Sequence, residues 1–86
     1  MIYLDVFSNE PGLLKKIKKP FKILRLFTEN AILFKNKKNL SFRIFLINKY
    51  SQLSKYKSNR PENAISYGFG FIFKKKIISE YKNGIW

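Results

Sequence analysis

The chain alternates short apolar runs with turn-forming and basic stretches. Residues 2–7 (IYLDVF) are β-branched, aromatic and apolar, and short enough for a strand. SNEPG follows as a dense turn signal, and Pro11 suits the first turn of a helix, with Ser8 or Asn9 placed to cap it. In LLKKIKK, Leu13, Leu14 and Ile17 share one helical face and lysines take the other. This predicts an amphipathic helix of about two turns, ended by Pro20. Residues 21–27 (FKILRLF) predict a strand with Phe21, Ile23 and Arg25 on one side and Lys22, Leu24 and Leu26 on the other.

Beyond Phe27 the pattern loosens. Within residues 28–40, ENAILF reads as a single helical turn and KNKKN as a solvated loop. Residues 41–47 (SFRIFLI) predict a strand, and NKYSQLSKY a short helix or loop. KSNRPEN breaks the chain again. AISYG (64–68) predicts a further strand, and KKKIISEYKN (74–83) a short helix with Gly84 at its C-terminal end. GIW (84–86) looks like the start of another strand. Strands that alternate with helical segments predict an α/β fold, a parallel sheet with crossovers, and 86 residues suffice for one small domain, 1–86.

Composition narrows the chemistry. At 45% apolar and 17% aromatic, the chain does not read as a disordered tail. It has no cysteine, hence no disulfide or thiolate metal site, and no histidine, the commonest general base. Its five acids, Asp5, Glu10, Glu29, Glu62 and Glu80, are scattered along the sequence. This inventory argues against a self-contained catalyst.

The net charge is +13. One reading is a surface for nucleic acid or an anionic membrane. The other is codon usage: lysine, isoleucine, asparagine, phenylalanine and tyrosine abound, as A/T-rich codons produce. Fifteen of the 18 cations are lysines and three are arginines, although arginine is the better bidentate phosphate ligand, which favours the second reading. Lys74 to Lys76 read as a solvated helix start, with a phosphate contact as the alternative. No apolar run approaches the ~18 residues of a spanning helix, and MIYLDVFSNE lacks the n- and h-regions of a signal peptide. The expectation is a soluble, cytoplasmic protein with no membrane partner.

The stretch 67–74, YGFGFIFK, has two readings. It matches the middle of the aromatic strand of RNA-recognition motifs, and Ile2-Tyr3-Leu4 matches the partner strand. A module of that kind would stack bases on aromatic rings and hold phosphates with lysines. The spacing argues against it, because about 60 residues separate the two strands and too little chain follows the second to complete the sheet.

The longer segment NAISYGFGFIFKKKIISEYKNGIW resembles the 10-formyltetrahydrofolate-dependent formyltransferases, the family of methionyl-tRNA, glycinamide ribonucleotide and sugar-amine formyltransferases. AISYG is similar to that family's strand, GFGFIF to the apolar bend after it, and KKKIISEYKN to its short helix. Gly84-Ile85-Trp86 resembles the lead into the catalytic N-x-H. IYLDVFSNEPGLLKKI, FKILRLF and SFRIFLI look like earlier parts of the same domain. The resemblance implies an incomplete Rossmann-like, mostly parallel sheet with short crossover helices.

It also implies roles. Gly70, Phe71, Ile72 and Phe73 would form the bend whose backbone pairs with the pterin edge of 10-formyltetrahydrofolate, under a cover of apolar side chains. The residues alone read equally well as ordinary buried positions at a strand end. Ser8 and Asn9 occupy the family's first loop, which meets the amine acceptor, although the loop's glycine pattern is altered here. The family's catalytic Asn, His and Asp have no counterpart, so the resemblance implies the N-terminal part of such an enzyme, inactive by itself.

Overall fold

A computed structural model describes residues 1–35 and 41–86. Four strands form one all-parallel sheet: β1 (Ile2–Ser8), β2 (Phe21–Thr28), β3 (Arg43–Leu46) and β4 (Asn63–Tyr67), in the order β3-β2-β1-β4. Three short helices lie between or after them: α1 (Pro11–Lys16), α2 (Ala31–Lys35) and α3 (Lys75–Ser79). A 3₁₀ helix, Tyr50–Tyr56, lies on the crossover from β3 to β4. The result is the expected small Rossmann-like α/β sheet. The predicted KNKKN loop falls, but for Lys35, outside the described residues. At the β4 edge Ala64 bridges Ile85 in parallel, and Trp86 N–H donates to Ala64 O, so GIW does begin to pair as a strand.

Both sheet faces are covered, as an all-parallel sheet requires. Leu4, Val6, Ile23, Leu26 and Ile44 form one apolar layer beneath Leu13 and Leu14 of α1, Ile17 just after it, and Leu33 and Phe34 of α2. On the opposite face, Phe7, Phe27, Ile47 and Ala64 pack with Leu53 of the 3₁₀ helix, Ile77 of α3 and Tyr81 beyond it. Register places Phe7 beside Phe27 and Phe27 beside Phe45. Their rings stack across three strands, with centroids 4.9 and 5.5 Å apart.

Several local expectations are corrected. Strand β2 does not alternate throughout: Leu4 pairs with Ile23 but Asp5 pairs with Arg25, leaving Leu24 as a bulge. The extra residue turns Arg25 to the face opposite Ile23, and Ile23 then shares its layer with Leu26. Neither Ser8 nor Asn9 caps α1; Glu10 holds that position without a side-chain bond, and Ser8 Oγ instead accepts from Glu10 N–H at 3.0 Å. Helix α3 ends at Ser79, four residues short of the prediction. Gly84 (φ 77°) therefore closes a turn on Tyr81 O, not the helix itself. In contrast, α2 realises the ENAILF turn because Asn30 Oδ1 accepts from the N–H groups of Ile32 and Leu33.

The bulge has an electrostatic consequence. Asp5 is fully buried, and Arg25 Nε donates to its Oδ1 at 2.9 Å while Nη2 donates to Oδ2. Tyr81 donates its hydroxyl to Asp5 Oδ2 at 2.6 Å and accepts from Arg60 Nη1. Arg60, nearly buried, also donates Nε to Glu80 Oε1 at 2.7 Å and Nη2 to Leu53 O at 2.8 Å. Burial alone would lower the Arg25 pKa, but its hydrogen bond to Asp5 and that carboxylate's charge outweigh this and hold it above the ordinary value. Burial, then the adjacent Asp5 charge and hydrogen bond, push the Tyr81 phenol far above its ordinary range.

Replacing Asp5 by Ala leaves the Arg25 guanidinium without its counter-charge and the buried Tyr81 hydroxyl without its acceptor, while Arg60 keeps Glu80. It should destabilise the fold by about 3–5 kcal/mol, read by urea unfolding. Tyr81 gives a pH test. A phenol whose pKa is raised on folding contributes its full stability below the unfolded value of 10.0 and loses it as pH rises beyond. The stability advantage of the native chain over Tyr81→Phe should therefore shrink above pH 10, measured by paired unfolding curves.

Candidate functional site

Strands β1, β2 and β3 are laid down successively in one direction, and the chain then crosses back to place β4 on the other side of β1. The direction of sheet growth reverses between β1 and β4. In open parallel sheets, the crevice at the carboxyl ends of the strands flanking such a reversal is the usual ligand site. The loops that meet there are residues 9–10 after β1 and 68–74 after β4. All six sequence-predicted site residues, Ser8, Asn9, Gly70, Phe71, Ile72 and Phe73, fall at this end of the sheet.

The 68–73 segment leaves β4 at Tyr67 and is a loop, not a strand. Its three aromatic residues, at alternate positions, pack on the same core cluster. Phe69 and Phe73 lie against Phe7, with centroids at 5.5 and 4.7 Å, and stack on each other at 5.8 Å. Phe71 packs on Phe69 and on Tyr50 of the 3₁₀ helix. The rings seal the end of the aromatic layer. Ile72, between them, is 90% exposed. An RNA-recognition surface needs such rings displayed on a sheet face. Here they are half-buried against the core and the sheet is entirely parallel.

Polar groups fix this loop from the opposite side. Asn9 Oδ1 accepts from Glu29 N–H at 2.7 Å and from the Thr28 hydroxyl at 3.1 Å, and Asn9 Nδ2 donates to Glu29 Oε1 at 3.0 Å. Glu29 Oε1 also accepts from Gly70 N–H at 2.6 Å. Asn9 N–H donates to Gly68 O at 3.0 Å. Loops after β1, β2 and β4 are thus bound into one unit. The two glycines sit close against this unit, and a side chain at either would displace a glutamate. Gly68 has φ 62°, and a Cβ there would lie 2.7 Å from Glu10 Cγ; at Gly70 a Cβ would lie 2.5 Å from Glu29 Oε1.

Ser8 is fully buried and its oxygen is held by Glu10 N–H, while both polar atoms of the Asn9 side chain are engaged internally. These two residues hold the loops in place and do not project toward a ligand. The bend differs. Apart from Gly70 N–H, the backbone N–H and C=O groups of residues 70–73 make no hydrogen bond to any described residue, until Lys74 N–H donates to the Tyr50 hydroxyl at 2.7 Å. A row of open backbone donors and acceptors therefore lies beside apolar and aromatic side chains. That arrangement can pair with a flat ligand edge.

Glu29 was not among the residues expected at this site. Its part depends on a contact 41 positions away, which no local pattern carries. Neither protein-family models, nor curated proteins, nor solved structures yield a match to this chain. Among the described residues, no helix is long and apolar enough to cross a membrane.

Asn9→Ala removes the acceptor that organises three loops. It should lower stability by about 1–3 kcal/mol and accelerate amide exchange at Glu29 and Gly70, followed by hydrogen-exchange NMR.

Proposed function

We propose that residues 70–73 bind a flat heterocycle with a polar edge, of the pterin class, and that the ligand is 10-formyltetrahydrofolate. The observation that carries this reading is the bend itself. Its backbone groups are left open at the carboxyl end of the sheet, while its aromatic side chains are anchored in the core. An anchored loop presents those groups at little further cost in ordering, which is how preorganised sites gain affinity. Exposed Ile72 and half-buried Phe71 supply the apolar cover. The sequence resemblance supports the same assignment, since the bend occupies the position that meets folate in the formyltransferases.

On this reading the chain is the folate-facing part of a formyl-transferring unit in the cytoplasm. The amine acceptor would approach past the loop after β1, which Ser8 and Asn9 hold in place. Transfer of the formyl group to an amine needs a proton acceptor and an oxyanion donor. The chain has no histidine, and Glu29 is engaged with the bend, so the 86 residues bind without turning over.

Isothermal titration with tetrahydrofolate tests the reading. The native chain should bind, and Ile72→Pro, which removes one backbone donor at an exposed position, should weaken binding about tenfold with unchanged thermal unfolding. Incubation with 10-formyltetrahydrofolate and an amine should give no product above background. Filter binding to single-stranded RNA at two salt concentrations supplies the contrast. Steeply salt-dependent RNA binding together with no folate heat would replace the proposal by a nucleic-acid-binding role.

A further inference from the structure

A concavity lies toward the amino end of the sheet, away from the 68–74 loop. Leu13 of α1, Ile17 after it, Phe21, Trp86, Leu4 and Ile65 line it. Asn63, Ala64 and Ile65 of β4 line it beside Leu13 and Ile17. Trp86 is 78% exposed and Phe21 44% exposed. The groove is about 600 Å³, within the ~300–1,000 Å³ range of small-molecule sites.

Its charge is one-sided. Lys16, Lys18 and Lys19 also line it, and no acidic side chain does. Lys16 ends α1 and Lys18 and Lys19 lie in the segment that joins it to β2, so the three gather at the amino end of the sheet. The body of the groove, from Leu13 to Ile65 and Trp86, carries no charged residue. A basic mouth leading to an apolar trough matches a ligand with one anionic head and one hydrocarbon tail. A second copy of the chain fits poorly, because two chains of net charge +13 repel. An amphipathic helix would meet basic groups along its length, whereas these lie at one end.

We propose that this groove binds a single-tailed amphiphilic anion of the fatty-acid carboxylate class, with its head at Lys16, Lys18 and Lys19 and its tail against Leu13, Ile65 and Trp86. The site is separate from the 68–74 loop and does not depend on the folate reading.

Trp86 is the only tryptophan in the chain, so its emission reports on the groove directly. Sodium decanoate, titrated below its micelle concentration, should shift Trp86 emission to the blue and saturate. Decanol should bind more weakly and decyltrimethylammonium not at all. The variant K16E/K18E/K19E, altered only at exposed positions, should bind decanoate at least about tenfold more weakly with an unchanged circular-dichroism spectrum. Ile65→Glu, placed in the trough lining, should abolish the shift, with native secondary structure checked in the same sample. Equal responses to the anion, the alcohol and the cation would overturn the proposal. So would a shift seen only with anionic phosphatidylglycerol vesicles, or emission that changes on dilution without ligand, which would mark a membrane or a second copy as the occupant.

Discussion

The carboxylate of Asp5 lies at zero exposure in the middle of a strand of otherwise apolar residues. Removing an ionised carboxylate from water costs several kcal/mol unless its oxygens find charged partners and hydrogen bonds. Three distant segments answer that demand. Strand β2 supplies Arg25 by bulging at Leu24, the connection into β4 supplies Arg60, and the turn after α3 supplies Tyr81. No buried side-chain polar atom among the described residues lacks a partner. The network therefore ties the first strand to the last turn, across a sequence separation of 76.

The carboxyl-edge site inherits its geometry from this closure. Loop 68–74 runs from β4 to α3, and each end of it is fixed by a different interaction. Asn9 and Glu29 hold the first part through Gly68 and Gly70. The second part leads into Ile77 and Tyr81, which are buried against Phe7 and Asp5. Between these anchors, Phe69, Phe71 and Phe73 fill the end of the aromatic layer and leave the backbone groups of residues 71–73 without a hydrogen-bond partner among the described residues. Core packing and an open backbone edge are thus two aspects of one loop, because alternate residues serve each purpose.

Much of the fold was legible in the sequence, for identifiable reasons. Apolar runs of strand length, punctuated by SNEPG and KSNRPEN, locate β1 and β4, and the amphipathic LLKKIKK locates α1. The strand order was not legible, since no local pattern says that β4 crosses to the far side of β1. The bulge in β2 was also hidden, because FKILRLF alternates acceptably in either register and only the partner of Asp5 decides between them. One clue was available. A lysine-rich chain with only three arginines places Arg25 inside an apolar strand opposite an equally misplaced Asp5. A charge that breaks an apolar strand calls for a buried partner, and that pairing predicts the register shift.

The same pairing changes the meaning of the +13 charge. Arg25 and Arg60 are committed internally, with side chains 13% and 2% exposed, so Arg43 is the only one of the three arginines on the surface. The positive surface is therefore almost wholly lysine, which attracts anions as a point charge and lacks the bidentate geometry that reads phosphates. It is also uneven along the strand direction. Around the bend at the carboxyl end, Glu10 and Glu29 are mixed with exposed Lys74, Lys75 and Lys76, whereas Lys16, Lys18 and Lys19 stand at the amino end with no acid among the residues that line the apolar trough. A hydrogen-bonding heterocycle suits the mixed first environment and an anionic headgroup the wholly basic second. The two sites differ in part because the crossover β1-α1-β2 carries Glu10 before the helix and Lys18 and Lys19 after it.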